Sequence, residues 1–523
     1  MPKLKTVFLN VFIMSLYVGF VLAIRPVRQT FEFDYDEGLN LIKALLYSKG
    51  FSLYTQIWSD QPPLLTVTLS HWFSLFGYSV FAARLLILLF SSLLVWSFYQ
   101  IIRYSLGLVP ALVATLLLLT SWLFVRLSIA VMIGIPTLSL AMFSIYFLTL
   151  YKRHPRKIFI ILSGGLFALS LQTKLFTVFL IPLMLLYLWD FKIMDCEANN
   201  NLEGKVSPNP SPTKRGVFNF SLSPRSEGGS GVKSILSKYN LWYLPLLWLG
   251  TLLGVYVTIG ILCHSLNYEQ LFQAHLGEDV KAGFEKFNNI DYLRYLMIQD
   301  LDYLFLALIG IWAIFLKRQR EGFFPLVWLA TAILLLLNHK PVWYHHYTLL
   351  AIPITWLAAY GVALIIDFFP AGWNSNFKSL NIKKLILPGI AAAILILSMI
   401  AIPTKPIGRP ARNIEVMNLV LKYKDSTQWL FTDRPIYAFY AGLPVPPEIA
   451  VISEKRFSSG NLTNDDLLTI LQKYRPEQIV FARWTEKFKS DEKISAYIKE
   501  NYSKTYENEK GTVEHYVLKE FSR

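Results

Sequence analysis

Asp34, Asp36, Glu37 and Asp60 lie close together within residues 31–65. Inverting glycosyl transfer needs a carboxylate that takes a proton from the acceptor as it attacks an anomeric carbon. A phosphate leaving group needs cations or hydrogen-bond donors around it. Arg84, Arg126 and Lys174 each fall at the end of an apolar run, and membrane-edge cations are costly enough to be functional candidates. His275, with Glu278 and Lys281 nearby, is a further donor. The segment 339–347 is denser, holding Lys340, Tyr344, His345 and His346. Its histidines lack a metal spacing with nearby acids, so a phosphate clamp suits them better than zinc. Each group has a bland alternative: acids that cap a helix, cations that snorkel, aromatics that belt a membrane interface. Three acids within residues 34–37 exceed what a cap requires.

The elements that must hold these groups are membrane elements. The chain has 523 residues, 54% of them hydrophobic and 16% charged, with a mean hydropathy of +0.42. A soluble protein carries about a quarter charged residues. Repeated apolar runs leave helices as the way to satisfy the backbone in lipid. Eleven spans are expected, at 7–24, 80–102, 108–125, 129–151, 158–171, 175–189, 241–262, 303–316, 323–337, 347–369 and 385–402. The first is read as a retained helix rather than a cleaved leader, because no small-residue cleavage site follows it. The net charge of +15 does not point to nucleic acid, because the cations gather in short loops on one side. That pattern places the N-terminus in the cytoplasm and the acidic stretch in the first outside loop, 25–79. Cys196 and Cys263 give neither a disulfide framework nor a metal spacing.

Within that loop, residues 38–50 form an amphipathic pattern with Leu39, Ile42, Leu45 and Leu46 on one face. Lys43 and Lys49 are placed to snorkel, so the helix should lie in the interface and hold the carboxylates beside the bundle. Pro62-Pro63 stops one element and starts the next, an apolar run at 64–76 read as interfacial. Residues 199–231 are rich in Asn, Ser, Pro and Gly, and 190–240 reads as a flexible cytoplasmic loop. After the membrane region, 1–403, the composition changes. Helices are expected at 413–424 and 465–474 and strands at 427–432 and 478–482, which makes 404–523 a soluble α/β domain outside the membrane.

The order of motifs resembles the membrane glycosyltransferases of the GT-C fold. It is most similar to the bacterial branch of the protein O-mannosyltransferase superfamily, which includes the lipid A aminoarabinose transferases. Asp36-Glu37-Gly38, Asp60-Gln61-Pro62-Pro63-Leu64 and Ala83-Arg84-Leu85 carry the likeness. The resemblance implies a bacterial inner-membrane enzyme with a periplasmic C-terminal domain. It also implies a polyprenyl-phosphate sugar donor, a glycan, lipid or protein acceptor and inversion. It makes Asp36 the base or acceptor-orienting carboxylate, Glu37 its neighbour and Asp60 the second acid. The aminoarabinose transferases carry a phosphate-contacting lysine before Pro-Pro-Leu. Here Gln61 stands there, so Gln61 itself, Arg84, Lys174 or the Lys340–His346 loop must contact the phosphate. Gly134-Ile135-Pro136 likewise stands where many relatives place an acid before proline. No cofactor is required, although four carboxylates could recruit Mg²⁺ or Mn²⁺. The rival class is a lipid-linked sugar flippase. It fits less well, since the two halves show no repeat and the charges sit at span ends.

Overall fold

The computed structural model describes residues 2–24, 26–189, 242–267, 269–273, 277, 287–298, 301–367 and 414–521. The expected span at 385–402, the loop at 190–240 and His275 lie outside these. The other ten expected spans fall on helices. These are α1 (Pro2–Ile24), α4 (Val80–Leu106), α5 (Leu108–Thr120) with α6 (Trp122–Leu127), α7 (Gly134–Arg153), α8 (Lys157–Thr173), α9 (Leu175–Trp189), α10 (Tyr243–Leu262), α12 (Leu301–Leu316), α13 (Phe323–Asn338) and α14 (Thr348–Asp367). Between α1 and α4 lie α2 (Tyr35–Ser48) and α3 (Leu64–Phe76). The thirteen residues of α3 reach about 20 Å, short of the hydrocarbon thickness. A further helix, α11 (Asn289–Ile298), precedes α12 at a sharp bend of 94°.

Two departures from the expected spans matter for the site. The run at 108–125 breaks at Ser121, whose extended backbone separates α5 from α6. The run at 129–151 becomes helical only at Gly134, where Pro136 occupies the first turn. The non-helical stretch 128–133 is buried against α2, and Asn40 of α2 donates to the Val131 carbonyl at 2.9 Å. Deeper in the bundle α12 and α14 touch backbone to backbone. A Cβ on Gly310 would stand 1.9 Å from the Leu357 carbonyl oxygen, and one on Gly361 2.4 Å from that of Leu306. Without a hydrophobic drive between helices in lipid, such close packing is what holds them together.

The C-terminal unit is α/β. Its sheet runs β1 (Leu430–Thr432), β2 (Gln478–Phe481), β4 (Glu514–Leu518), β3 (Tyr502–Glu507), with β1 parallel to β2 and the other pairs antiparallel. The helices α15 (Ile414–Lys422) and α18 (Asn464–Tyr474) stand where expected; α16 (Ile436–Ala441) and α17 (Glu454–Ser458) join them. The β3–β4 hairpin adds two strands to the two expected.

This unit packs on the segment between α1 and α4. Arg434 clasps Glu32 at 2.6 and 3.0 Å, Phe31 stacks on Tyr440 with ring centres 4.9 Å apart, and Phe73 meets Phe439. Tyr35 donates to the carbonyls of Asp433 and Ile452. Gly38 of α2 lies so close to α16 that a Cβ there would stand 2.8 Å from the Ile436 nitrogen.

Candidate active site

Asp34 fixes the start of α2. Its backbone is extended and its carboxylate accepts the Asp36 N–H at 2.9 Å, so it is the N-cap. Its second oxygen accepts a hydrogen bond from the Tyr344 hydroxyl. From that cap the helix turns Asp36 and Glu37 in different directions.

Glu37 points into the bundle and is fully buried. Arg84 of α4 donates to both its oxygens at 2.8 Å, and the Phe33 and Val131 amides at 3.0 and 3.3 Å complete its shell. Arg84, 1% exposed, is equally occupied, giving its other bonds to the carbonyls of Val27, Thr30 and Phe31. The expectation that Glu37 does chemistry and Arg84 holds phosphate is corrected here. The two are a buried bidentate pair that ties α2 to α4, with no atom left for substrate.

Asp36 faces a cavity of about 1080 Å³ between α2, the bundle and the C-terminal unit. Asp60, Gln61, Lys174, Tyr344, His345 and His346 line the same cavity. Thus the structure brings together residues far apart in sequence. It does not bring Lys340 into the lining. Arg126 also stays outside; its Nη2 donates to the Phe33 carbonyl at 2.5 Å and its guanidinium lies 4.7 Å over the Tyr344 ring, steadying the Asp34 partner.

Three lining cations escaped the sequence reading. Lys43 does not snorkel: it is 3% exposed and lines the cavity near Asp36 and Asp60. The signal was the polar stripe Asp36, Asn40, Lys43, at i, i+4 and i+7 on one helix face. Lys455 and Arg483 come from the C-terminal unit, and no local pattern marks them. Asp433 is buried and accepts the amides of Ala482, Arg483 and Trp484 at 2.8, 3.0 and 2.6 Å. That nest holds Arg483 at the cavity mouth with its guanidinium 3.4 Å over the Tyr35 ring.

Burial, and then the charge of Asp34, push Asp36 up from an ordinary 3.8 to about 6, against the pull of Arg483 and Lys174. Lys174, in the break between α8 and α9, comes down to about 8, first through burial and then through the charge of Lys455. Burial also lowers Lys43 and Lys455. His346 accepts the Trp343 N–H on Nδ1, so its Nε2 carries the proton. Its ring meets those of His339, His345 and Phe176 at 5.5, 4.4 and 4.7 Å. Among the described residues no group of His, Cys, Asp or Glu side chains is arranged to hold a metal ion. The apolar side of the cavity is built by Leu127, Ile133, Ile135, Val178, Leu334 and Leu335 from the bundle.

A polytopic helical bundle with a charged cavity beneath an α/β unit has the architecture of the GT-C membrane glycosyltransferases, and the comparisons agree. Residues 60–193 match the model of the dolichyl-phosphate-mannose-protein mannosyltransferase family. No curated protein gives a significant sequence match. The fold is shared with ArnT from Cupriavidus metallidurans bound to undecaprenyl phosphate, at 12% identity and a TM-score of 0.61, over 96% of this chain and 97% of that one. The same enzyme in its apo state gives 0.59 at 12% identity, over 99% and 98%. The oligosaccharyltransferase of Archaeoglobus fulgidus, tethered with an acceptor peptide, gives 0.52 at 10% identity, over 97% and 74%.

Proposed function

We propose that the protein is an inverting glycosyltransferase of a bacterial inner membrane, taking its sugar from a polyprenyl-phosphate donor and working on the periplasmic face. One observation carries this: Asp36, a partly buried carboxylate raised to about 6, shares a cavity with cations, and that cavity has a long apolar side within the bundle. A lipid chain suits the apolar side, a phosphate suits the cations, and a base suits the acceptor.

In the reaction Asp36 removes the proton of an acceptor hydroxyl or amine as that atom attacks the anomeric carbon. The bond from that carbon to the phosphate oxygen breaks, its electron pair leaves with polyprenyl phosphate, and the configuration inverts. The departing charge falls to Lys174 and to N–H donors of His345 and His346, as electrostatic stabilisation of a leaving group requires. Burial and the charges of Asp34 and Asp60 raise the Asp36 carboxyl while Arg483 and Lys174 pull it down, and Lys43 lines the same cavity. The family model over 60–193 and the shared fold support this reading. The test is incubation of purified protein with a panel of labelled polyprenyl-phosphate sugars, scored for released polyprenyl phosphate and for the anomeric configuration of the product. Release with inversion is expected. Retention of configuration would remove Asp36 as a simple base, and movement of intact donor across a vesicle bilayer would make the protein a flippase.

A further inference from the structure

Lys455 stands on α17, a five-residue helix of the C-terminal unit, yet it lines the same cavity as Lys174 of the bundle. Its place is fixed by its neighbour. Arg456 is 5% exposed and donates to the carbonyls of Glu448 and Val451 at 2.7 Å and of Asn461 at 3.2 Å. The Arg456 guanidinium also lies 4.7 Å over the ring of Trp58, two residues before Asp60. On the other side the Tyr35 hydroxyl holds the Ile452 carbonyl at 3.2 Å. The segment 448–456 is therefore clamped to both ends of the acidic loop, and the backbone that carries Lys455 is held beside the cavity.

On the bundle side, Lys174 rests 4.2 Å over the Phe176 ring, which also packs on His339 and His346. Two half-buried ammonium groups face one cavity from distant parts of the chain and repel each other, an effect that the carboxylates of Asp36 and Asp60 offset in part. A single anion between them reverses the sign of that interaction, and in a partly dehydrated site each contact is far stronger than in water.

We propose that Lys455 is a ligand of the donor's phosphate group, closing over an anion whose other contact is Lys174, so that the lipid phosphate bridges the bundle and the C-terminal unit. This rests on the donor being a lipid phosphate. Two consequences follow. The phosphate site is complete only when the C-terminal unit is seated, and an occupied site holds that unit down more firmly than an empty one.

The probe is polyprenyl phosphate itself, the released product, which needs no knowledge of the sugar. Its binding to the full-length protein in nanodiscs is measured beside that of the uncharged polyprenol, for wild type, Lys455→Met, Lys455→Arg and Asp36→Asn, with hydrogen exchange followed over 448–456. Wild type is expected to bind the phosphate, Asp36→Asn at least as tightly because it removes a negative charge from the same cavity, and bound phosphate should protect 448–456. Lys455→Met should lose at least about tenfold in affinity for the phosphate but nothing for polyprenol, and Lys455→Arg should recover most of the loss. A purely structural role for Lys455 would weaken both lipids together, and that result overturns the proposal. Wild-type phosphate affinity in Lys455→Met overturns it too while leaving the glycosyltransferase reading in place. If wild type itself fails to bind polyprenyl phosphate, both fall.

Discussion

Exchanging Glu37 for Gln should unfold the protein more easily, whereas exchanging its neighbour Asp36 for Asn should not. Glu37 is fully buried and receives four hydrogen bonds, two from Arg84 at 2.8 Å. The Glu37→Gln change would leave a guanidinium that is 1% exposed without its counter-charge. Breaking one side of a buried pair costs about 3–5 kcal/mol. For Asp36 the sign is opposite. Its folded value, about 6, lies above its ordinary 3.8. A group raised in this way stabilises the fold at low pH and loses that contribution as pH rises through about 6. At pH 8 the ionised carboxylate therefore opposes folding. The shift of about 2 units, discounted for partial exposure, corresponds to about 1–3 kcal/mol, which Asn removes. Thermal unfolding in nanodiscs at pH 8 reads both. Glu37→Gln should lower the apparent Tm by about 3–5 °C, and Asp36→Asn should hold or raise it. The Asp36 advantage should vanish near pH 4. A Glu37→Gln protein with wild-type Tm but no activity would refute the structural role of Glu37 and return it to the chemistry.

As the proposed base Asp36 works only when ionised, so kcat/KM should fall about tenfold per pH unit below about 6. Asp34→Asn removes the like charge that raises it, leaving Asp60, Lys174 and Arg483 around it, so the acid limb should move to lower pH; a limb that stays put would assign the titration elsewhere. Gly38→Ala puts a methyl group 2.8 Å from the Ile436 nitrogen. It should loosen the C-terminal unit, seen as faster proteolysis of that unit and at least about tenfold lower activity, with the bundle still folded. Chelation with EDTA should leave the rate unchanged, since Lys43, Lys174, Lys455 and Arg483 already supply the cavity's positive charge; loss of activity restored by Mg²⁺ or Mn²⁺ would add a metal to the site.

What was legible in the sequence follows from the range of the forces involved. The helices of the bundle follow runs of apolar residues, which are local, so the described ones could be read to within a few positions. Asp36, Asp60 and the 344–346 cluster stood out because charges and imidazoles at span ends are rare. The division of labour within Asp36-Glu37-Gly38 was not legible. Adjacent helical residues point about 100° apart, and only the positions of Arg84 and Ile436 reveal that Glu37 is a girder and Gly38 a seat for the C-terminal unit. Lys43 reads as a snorkelling residue because a lysine on an interfacial helix ordinarily reaches for water, and nothing nearby shows that the C-terminal unit roofs it. Lys455 and Arg483 lie some four hundred residues beyond Asp36, in a unit whose docking depends on aromatic contacts that no single-sequence pattern encodes.

The most direct test of the central claim is single-turnover transfer at saturating donor by wild type and Asp36→Asn, with donor affinity measured in parallel. General-base catalysis contributes about 10²–10⁴-fold, so the variant should slow by that order while binding the donor at least as tightly as wild type does. Transfer by Asp36→Asn at the wild-type rate would show that the acceptor loses its proton to some other group.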